Sequence, residues 1–330
     1  MKPKQIQNNP QFNTLAMLSG YHFEHKNRLH LDAENRIVYK KNLDKVAVIS
    51  GGGSGHEPAH FGYVGEGLLT ASINGDFFIP PKPEQIVEAI EKADSGKGVL
   101  LVVKNFTADV TSFTEAKSLA ESYGHQVELV CVSDDHSIEG KTSFKKRHRG
   151  VAGTVLVHKI LGFYAQEGAS LTELKQVGDE LTANLFTLGV ALKSAVLPDS
   201  SKPVFELGDH EVSYGVGIHG EEGYRKVPYH SSEQLAIELV NKMRRIIDWN
   251  NNDKFAILVN GLGSTTLMEQ YIFTNDLRRL LQIENIEVDY IKVGSHLTSY
   301  NMHGVSLTFL KIKNSDWTTA LNQPTDASNW

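Results

Sequence analysis

His56 stands directly after a glycine-rich run and is the first residue of this sequence that invites a chemical role. Residues 46–49 are apolar and mostly β-branched, and four of the five residues 51–55 are glycine. The apolar run predicts a buried strand, and the glycines let the backbone approach a ligand more closely than any residue with a Cβ could. Pro58 suits the first turn of a helix, so the pattern predicts a strand, a loop and a helix. The loop predicts a small-molecule site with these candidate binding residues: Gly53, Ser54, Gly55 and His56.

Three known motifs compete for this glycine loop. A Walker loop ends in Gly-Lys-Ser/Thr, and the dinucleotide fingerprint requires glycine at the position of His56, so neither fits. Residues 56–60 match the zinc-protease pattern H-E-x-x-H, which requires both histidines on one face of a helix. Glycines precede His56 and a proline lies inside the motif, so the helix is predicted to begin only after His56. We therefore predict no metal site, and a zinc hydrolase is the alternative.

A continuous apolar run over residues 98–103 ends in Lys104, and Asp109 follows five residues later. Such a run is typical of a central strand in a parallel sheet. Ligands of open α/β sheets bind beyond the carboxyl ends of the strands, so Lys104 and Asp109 can meet His56 there. A charge pair that bridges two loops explains the same spacing, and the residues alone leave both interpretations open.

His219 lies among glycines in the C-terminal half, within residues 211–223. The glycines of this stretch satisfy G-x-G-x-x-G, but two glutamates follow them and would repel a pyrophosphate. The chain then runs into a Val-Pro pair instead of a helix, so the match is accidental. A lone histidine in a strand is more often structural, but here its small neighbours give it the backbone freedom and the access that a reactive group needs.

The predicted elements alternate between strands and helices, which is typical of an α/β fold. Ser170–Glu173 is a capping box that begins a helix, and residues 194–203, with Ser, Asp and two prolines, indicate a boundary. We predict two α/β domains, residues 1–193 with the glycine loop and residues 194–330 with His219. Their sheets are expected to be mostly parallel or mixed and flanked by helices. The basic run 145–149 is interpreted as a solvated loop, although it could also bind phosphate.

The composition limits the classes of function. The chain has 330 residues, of which 40% are hydrophobic and 22% charged, as in ordinary globular proteins. A formal net charge of −6 disfavours direct binding of nucleic acid. No apolar run approaches the ~18 residues that a membrane span needs, and the N-terminus lacks the apolar core of a signal peptide. We therefore expect a cytoplasmic protein with no membrane contact. Its one cysteine, Cys131, is expected to be a small core residue.

Five blocks of this sequence together resemble the substrate-binding subunits of dihydroxyacetone kinase, the DhaK family. The blocks are Gly51–Pro58, Lys104–Asp109, Gly150–Lys159, Gly215–Glu221 and Val259–Gly263. The resemblance covers residues 45–330 and implies two α/β domains and a homodimer. It further implies that dihydroxyacetone is held as a hemiaminal on His219. In the catalytic members of the family the phosphate comes from a separate DhaL subunit that holds ADP, so this chain is expected to bind no cofactor itself.

The same resemblance assigns roles to the candidate residues. A neutral imidazole of His219 attacks the ketone carbon, and His56 supplies a proton or a donor to the oxygen that becomes anionic. Asp109 accepts a hydrogen bond from a terminal hydroxyl and, in a kinase, acts as its base. The backbone of Gly53 and Ser54, together with Lys104, orients the triose. Glycerol is excluded because it has no electrophilic carbon.

The departures from the family pattern bear on the choice between a kinase subunit and a regulator. The family usually has Thr-Ser-Pro at Ile79–Pro81, Gly at Ala108, Gly-Arg-Arg-Gly at Arg147–Gly150 and Pro at Thr266. The ligand-holding residues are intact, and the changes fall in loops where a phosphate donor would dock. This pattern is similar to that of DhaQ-type paralogues, which bind the triose and serve as coactivators of a TetR-like regulator, DhaS. We therefore expect a coactivator, with the catalytic kinase subunit as the alternative.

Overall fold

The computed structural model describes residues 4–41, 44–137, 148–198, 200–250 and 253–330. Within these ranges the chain divides into two compact units. The N-terminal unit consists of the described parts of Pro3–Val132, Thr154–Ala183 and Ala320–Trp330, and the C-terminal unit consists of those of Ser133–Gly153 and Asn184–Thr319. The chain therefore passes between the units more often than a single boundary between residues 193 and 194 would require. The reason is that the strand Leu185–Lys193 pairs along most of its length with His303–Lys311, inside the C-terminal unit.

The regular elements in the described ranges are eight α-helices and twelve strands. The helices are α1 (Asn13–His25), α2 (Pro83–Ala93), α3 (Thr107–Ser122), α4 (Thr154–Gln166), α5 (Leu171–Ala183), α6 (Ser232–Ile246), α7 (Leu267–Ile283) and α8 (Ser315–Asn322). The strands are β1 (His30–Asp32), β2 (Ile37–Tyr39), β3 (Ala47–Ser54), β4 (Ala71–Phe77), β5 (Val99–Lys104), β6 (Val127–Val132), β7 (Leu185–Lys193), β8 (Glu211–Tyr214), β9 (Arg225–Pro228), β10 (Lys254–Gly261), β11 (Glu287–Gly294) and β12 (His303–Lys311).

The sheet of the N-terminal unit has the strand order β1-β2-β4-β3-β5-β6. Its four strands β4, β3, β5 and β6 are parallel, and β1 and β2 add an antiparallel edge. Strand β5 is a continuous apolar run up to Lys104, as expected where helices cover both faces of a parallel sheet. One such layer is the core cluster in which Ile49, Leu101 and Phe113 are fully buried. Since β3 and β5 are neighbours, their carboxyl ends lie side by side.

The sheet of the C-terminal unit has the order β11-β10-β12-β7-β8-β9. Only β10 and β11 are parallel, and the remaining neighbours are antiparallel. Helices α6 and α7 pack on a core that includes Leu239, Phe273 and Phe309. Both units thus contain a mixed sheet flanked by helices, which confirms the predicted fold class. The second sheet is the less parallel of the two.

The helix predicted after the glycine loop is absent. Residues 55–60 form turns, and only a short 3₁₀ helix, Phe61–Tyr63, follows before β4. The side chain of Glu57 accepts a hydrogen bond from the Gly55 backbone N–H at 2.9 Å and closes a tight turn.

Other local predictions are confirmed. The strand predicted from the apolar run 98–103 is β5. The capping box is present at the start of α5, where Ser170 N–H and Oγ both donate to the Glu173 carboxylate. The segment after the G-x-G-x-x-G match leads into β9 and not into a helix. In the part of the chain that the structure describes, no helix is both long and apolar enough to span a membrane.

Candidate functional site

The glycine loop of the N-terminal unit is the end of a strand, because β3 continues through Ser54 and is buried along its whole length. Ser54 Oγ donates to the carbonyl of Gly75 at 2.9 Å and accepts from Thr14 Oγ1 at 3.1 Å. The turn formed by residues 77–81 packs directly on this loop. A methyl group at Gly53 would lie 2.5 Å from the backbone nitrogen of Ile79. The two backbones pack together with no side chain between them, so a displacement of one segment displaces the other.

The imidazole of His56 is fully buried and stacks on the ring of Phe78, with ring centroids 5.0 Å apart and planes 12° from parallel. Phe78 in turn packs against Phe77, with centroids 4.4 Å apart. The backbone of Phe78 has φ +57°, a left-handed conformation that is rare for a bulky residue. Its N–H donates to the carbonyl of Ser54 at 2.9 Å. The turn of residues 77–81 therefore shields one face of His56 from water.

Lys104, the last residue of β5, lies at the centre of a buried polar cluster. Its Nζ is 2.7 Å from Nε2 of His60 and donates to the carbonyl of Gly51 at 3.2 Å. Nδ1 of His60 is 2.9 Å from Nε2 of His158, which lies on α4. All three side chains are buried. Because Lys104 donates to Nε2 of His60, the hydrogen of that ring lies on Nδ1 and is donated to His158.

Asp109 lies in the first turn of α3 and is buried. A methyl group at Gly52 would lie 2.5 Å from Lys104 Nζ and 3.3 Å from Oδ1 of Asp109, so both side chains border the backbone of Gly52. The N-terminal end of a helix stabilises a carboxylate. The structure thus brings Asp109, Lys104 and the glycine loop together, as the positions at neighbouring strand ends predicted.

Burial dominates the electrostatics of this cluster. It lowers the pKa of Lys104, and the negative charge of Asp109 opposes that shift. It also lowers the pKa of His60 well below its usual value, helped by the positive charge of Lys104. The pKa of His158 falls to about 3 for the same two reasons. Both histidines are therefore neutral near pH 7, and the positive charge of the cluster resides on Lys104, beside Asp109.

His219 lies in the C-terminal unit, on the loop that follows β8, and its side chain is 19% exposed. The loop is fastened by three hydrogen bonds: Gly215 N–H to the Gly189 carbonyl, Gly217 N–H to the Glu221 carbonyl, and Ser299 Oγ to the Ile218 carbonyl. The imidazole faces the carboxylate of Glu221, with Nδ1 3.6 Å from Oε1. A neutral imidazole held in this way is a nucleophile that a small ligand can reach.

Sequence reasoning missed several residues around these candidates. His158 falls inside a recognised block and His60 inside the zinc-protease pattern, but neither position carries a local sign of a buried cluster, and no pattern marks Phe78. Arg149 was read as part of a solvated basic run, yet its side chain is only 11% exposed and pairs with Asp135. That interpretation is therefore wrong for Arg149. Residues 145–147 of the run lie outside the described residues.

The zinc-protease pattern has no structural support, since its two histidines lie in turns and not on a helix. His60 is engaged by Lys104 and His158, and His56 is stacked on Phe78. Within the described ranges, no group of three or more His, Cys, Asp or Glu side chains could hold a metal ion.

The sequence model of the Dak1 domain matches residues 19–329. The chain belongs to the Dak1 family. Two relatives of this Dak1 chain come from Lactococcus lactis. One is the dihydroxyacetone-binding subunit DhaK of a PTS-dependent dihydroxyacetone kinase, which is 45% identical over 332 residues that cover 100% of both chains. The other is the DhaKLM operon coactivator DhaQ, which is 47% identical over 318 residues that cover 95% of this chain and 96% of the relative.

The solved structures that match this chain also include both a coactivator and a kinase. A dihydroxyacetone kinase operon co-activator, DhaQ, matches the Dak1 chain with a TM-score of 0.92 at 47% identity, covering 96% of this chain and 97% of the other. The dihydroxyacetone kinase of Citrobacter freundii in its native form matches with a TM-score of 0.91 at 34% identity, covering 100% of this chain and 60% of the kinase. Dak1 relatives therefore include both kinase subunits and a coactivator, and overall identity does not separate the two functions.

Proposed function

We propose that this chain binds dihydroxyacetone as a hemiaminal on His219 and acts as a ligand-dependent coactivator of a TetR-like, DhaS-type transcription regulator of dihydroxyacetone metabolism. The observation that carries the proposal is the presentation of His219. Its imidazole is partly exposed on a loop fastened at Gly215, Gly217 and Ile218, and one ring nitrogen faces a carboxylate. Most buried or structural histidines are instead enclosed by their partners, as His158 is in this chain.

Covalent capture requires an electrophilic carbon, an attacking lone pair and a group that receives the new alkoxide. In the proposal His219 supplies the lone pair and His56 supplies a donor to the alkoxide. Asp109 and Lys104, with the backbone at Gly53, Ser54 and Gly55, bind the hydroxyl groups. Short carbonyl compounds are selected because glycerol offers no carbon that an imidazole can attack.

The preference for a coactivator rests on the turn of residues 77–81. Ile79 is 57% exposed at a position where the kinase family usually has threonine, and two prolines follow it. The exposed side chain of Ile79, on a turn that packs against the glycine loop, is available for contact with a protein partner. The same turn carries Phe78, which stacks on His56, so a partner bound at Ile79 would lie next to the residues that cover His56. The relatives of this chain include such a coactivator, DhaQ, at 47% identity.

The alternative is the catalytic substrate-binding subunit of dihydroxyacetone kinase. Asp109, the base that such a reaction needs, is present and lies at the start of α3 beside Lys104. The phosphate would then arrive through a DhaL-type subunit, so any nucleotide is bound by the partner and not by this chain. In both proposals the chain acts as a homodimer in the cytoplasm, as the family resemblance implies.

Capture is tested by native mass spectrometry of the intact chain with dihydroxyacetone. We expect a labile adduct in the wild-type protein and in His210→Ala, which changes an exposed histidine of the same unit, but none in His219→Ala. Glycerol should give no adduct with any of them. An adduct that survives His219→Ala, or no adduct in the wild-type protein, contradicts the proposal.

The coactivator and kinase functions are separated by two assays on the same preparation. Titration calorimetry with the TetR-like regulator should show binding that requires dihydroxyacetone and that His219→Ala abolishes. Phosphoryl transfer to dihydroxyacetone with a DhaL-type subunit and its phosphate donor should be absent. Transfer at ordinary kinase rates, lost in Asp109→Asn while the adduct persists, would instead establish the kinase subunit.

A further inference from the structure

The carboxylate of Glu221 holds both the backbone and the ring of His219. Oε2 accepts a hydrogen bond from the His219 backbone N–H at 2.9 Å, and Oε1 lies 3.6 Å from Nδ1 of the imidazole. The two contacts come from the two oxygens of one side chain. Rotation of the imidazole away from Glu221 would therefore separate Nδ1 from this carboxylate.

Glu221 is itself held in place by Arg149, whose guanidinium lies 3.9 Å from Oε2. Arg149 Nε donates to Oδ2 of Asp135 at 2.6 Å. Its Nη2 donates to Ser137 Oγ at 3.1 Å and to the carbonyl of Gly215 at 3.0 Å. The planar fork of arginine suits such simultaneous contacts. The loop that carries His219 is thus connected, through Glu221 and Arg149, to a buried carboxylate at Asp135.

The three linked side chains alternate in charge, from Asp135 to Arg149 to Glu221. Burial alone would raise the pKa of the Glu221 carboxyl, but the neighbouring His219 and Arg149 hold it at about 2. Glu221 is therefore a carboxylate near neutral pH. The charged groups linked to His219 in this way are Glu221 and, behind it, Arg149 and Asp135.

We propose that Glu221 is the positioning residue of His219. It holds the imidazole in the tautomer with its hydrogen on Nδ1, which leaves the lone pair for attack on Nε2. This inference rests on the proposed adduct. A carboxylate that orients a histidine and stabilises its positive charge has the same part in Ser-His-Asp triads. Arg149 and Asp135 serve to keep Glu221 in that position.

The adduct step balances in atoms and charge once proton exchange with the donor and with water is included. Nε2 forms a bond to the ketone carbon, and the π electron pair of the carbonyl moves to oxygen. The ring becomes cationic as the bond forms, and the carboxylate of Glu221 stabilises that charge through Nδ1–H. The alkoxide takes one proton from its donor, His56 in the proposal, and the ring releases the Nδ1 proton to water, which restores the donor. The product is a neutral hemiaminal and no net proton is consumed.

Glu221→Gln tests the assignment, because the backbone N–H and Nδ1 face two different oxygens of Glu221, and glutamine replaces one of them with an NH2 donor. Glu222→Gln is the matched control: this neighbouring glutamate is exposed and pairs with Lys226. Adduct formation would be measured between about pH 5.5 and about pH 9, a range that brackets ordinary histidine titration. For Glu221→Gln we expect about a tenfold or greater loss of adduct at the alkaline end and a shift of the acid midpoint to lower pH. Glu221→Asp should restore part of the yield.

A measurement on the unaltered protein guards against a variant that fails to fold. Long-range ¹H–¹⁵N spectra of the imidazole report its tautomer directly, and we expect hydrogen on Nδ1 of His219. Hydrogen on Nε2, or a Glu221→Gln protein with wild-type yield and midpoint, would overturn the assignment of Glu221 and leave capture intact. Absence of any adduct in the wild-type protein would instead remove the proposed function itself.

Discussion

Lys104 Nζ lies 2.7 Å from Nε2 of His60 inside the core of the N-terminal unit. An ammonium group at this depth is costly unless it is hydrogen-bonded and faces a compensating charge. The Gly51 carbonyl and His60 accept from it, and the carboxylate of Asp109 supplies the charge. These contacts fix the ammonium group of Lys104 next to the glycine loop.

Lys104→Met should destabilise the protein because it leaves the buried carboxylate of Asp109 without its positive neighbour. We expect the free energy of unfolding to fall by about 3 kcal/mol, as when one partner of a buried ion pair is removed. Denaturant titration measures this change. Lys97→Met, which removes an exposed lysine paired with Asp44 at the surface, should change it by less than about 0.5 kcal/mol.

The double variant Lys104→Met/Asp109→Asn decides whether the loss comes from the unpaired charge. Neutralising Asp109 as well should recover part of the stability, so the two changes are expected to be non-additive. Additive losses would show that Lys104 acts through His60 and Gly51 and not through Asp109.

The buried histidines should make folding sensitive to acid. The pKa of His158 in the folded protein is about 3, well below the ~6.5 of an unfolded chain. Between these values the unfolded chain binds a proton that the folded chain does not, so stability falls as the pH is lowered through this window. The slope contributed by His158 is up to about 1.4 kcal/mol per pH unit.

His158→Gln should remove this contribution while its amide oxygen still accepts from Nδ1 of His60. We expect denaturant midpoints measured against pH to fall less steeply below about pH 6 than in the wild-type protein. His210→Gln, at an exposed position, should leave the profile unchanged. Parallel profiles for His158→Gln and the wild-type protein would show that His158 does not titrate in this way.

Gly55→Ala should distort the stack that covers His56. Gly55 has φ +103°, and a methyl group there would lie 2.6 Å from Cε1 of Phe78. We expect a loss of about 2 kcal/mol or more, since backbone strain and overlap with the ring add. Gly124→Ala is the matched control: Gly124 has φ +96° but no atom within 4 Å of its added methyl group. It should cost only about 1 kcal/mol of backbone strain.

Thermal unfolding of the two glycine variants measures these losses, and Gly55→Ala/Phe78→Ala separates the contributions. Removal of the ring should bring the double variant to about the loss expected from backbone strain and the missing phenyl group alone. Equal losses for Gly55→Ala and Gly124→Ala would show that the ring of Phe78 moves aside without cost.

Asp134 should be the most sensitive carboxylate of the C-terminal unit, because its fully buried side chain accepts three hydrogen bonds. Oδ1 accepts from Val151 N–H at 2.7 Å, and Oδ2 accepts from Gly153 N–H at 2.8 Å and Thr187 Oγ1 at 2.5 Å. Asp134→Asn would turn an N–H₂ group toward donors, and we expect a loss of about 1–3 kcal/mol. Thr187→Val removes the hydroxyl alone and should cost less. An Asp134→Asn protein that is as stable as the wild-type protein in calorimetry would contradict this account.

Several features could be predicted because they depend on local chemistry. The apolar run that ends at Lys104 and the run before the glycine loop are strands whatever surrounds them, and neighbouring strands bring their ends together. The capping box begins helix α5 through a contact between Ser170 and Glu173, which are only three residues apart. The helix expected after His56 could not be excluded in this way, because the Glu57 contact to Gly55 that closes the turn has no sequence pattern of its own.

By itself, the sequence determined the class of fold, the glycine loop and the identity of the histidines that could react, since periodicity and residue type act over a few positions. Only the tertiary structure decided which partners those histidines have. It placed His60 between Lys104 and His158, covered His56 with Phe78, and set Glu221 and Arg149 behind His219. The protonation and orientation of an imidazole depend on burial and on charges contributed from distant segments, and those become neighbours only when the chain has folded.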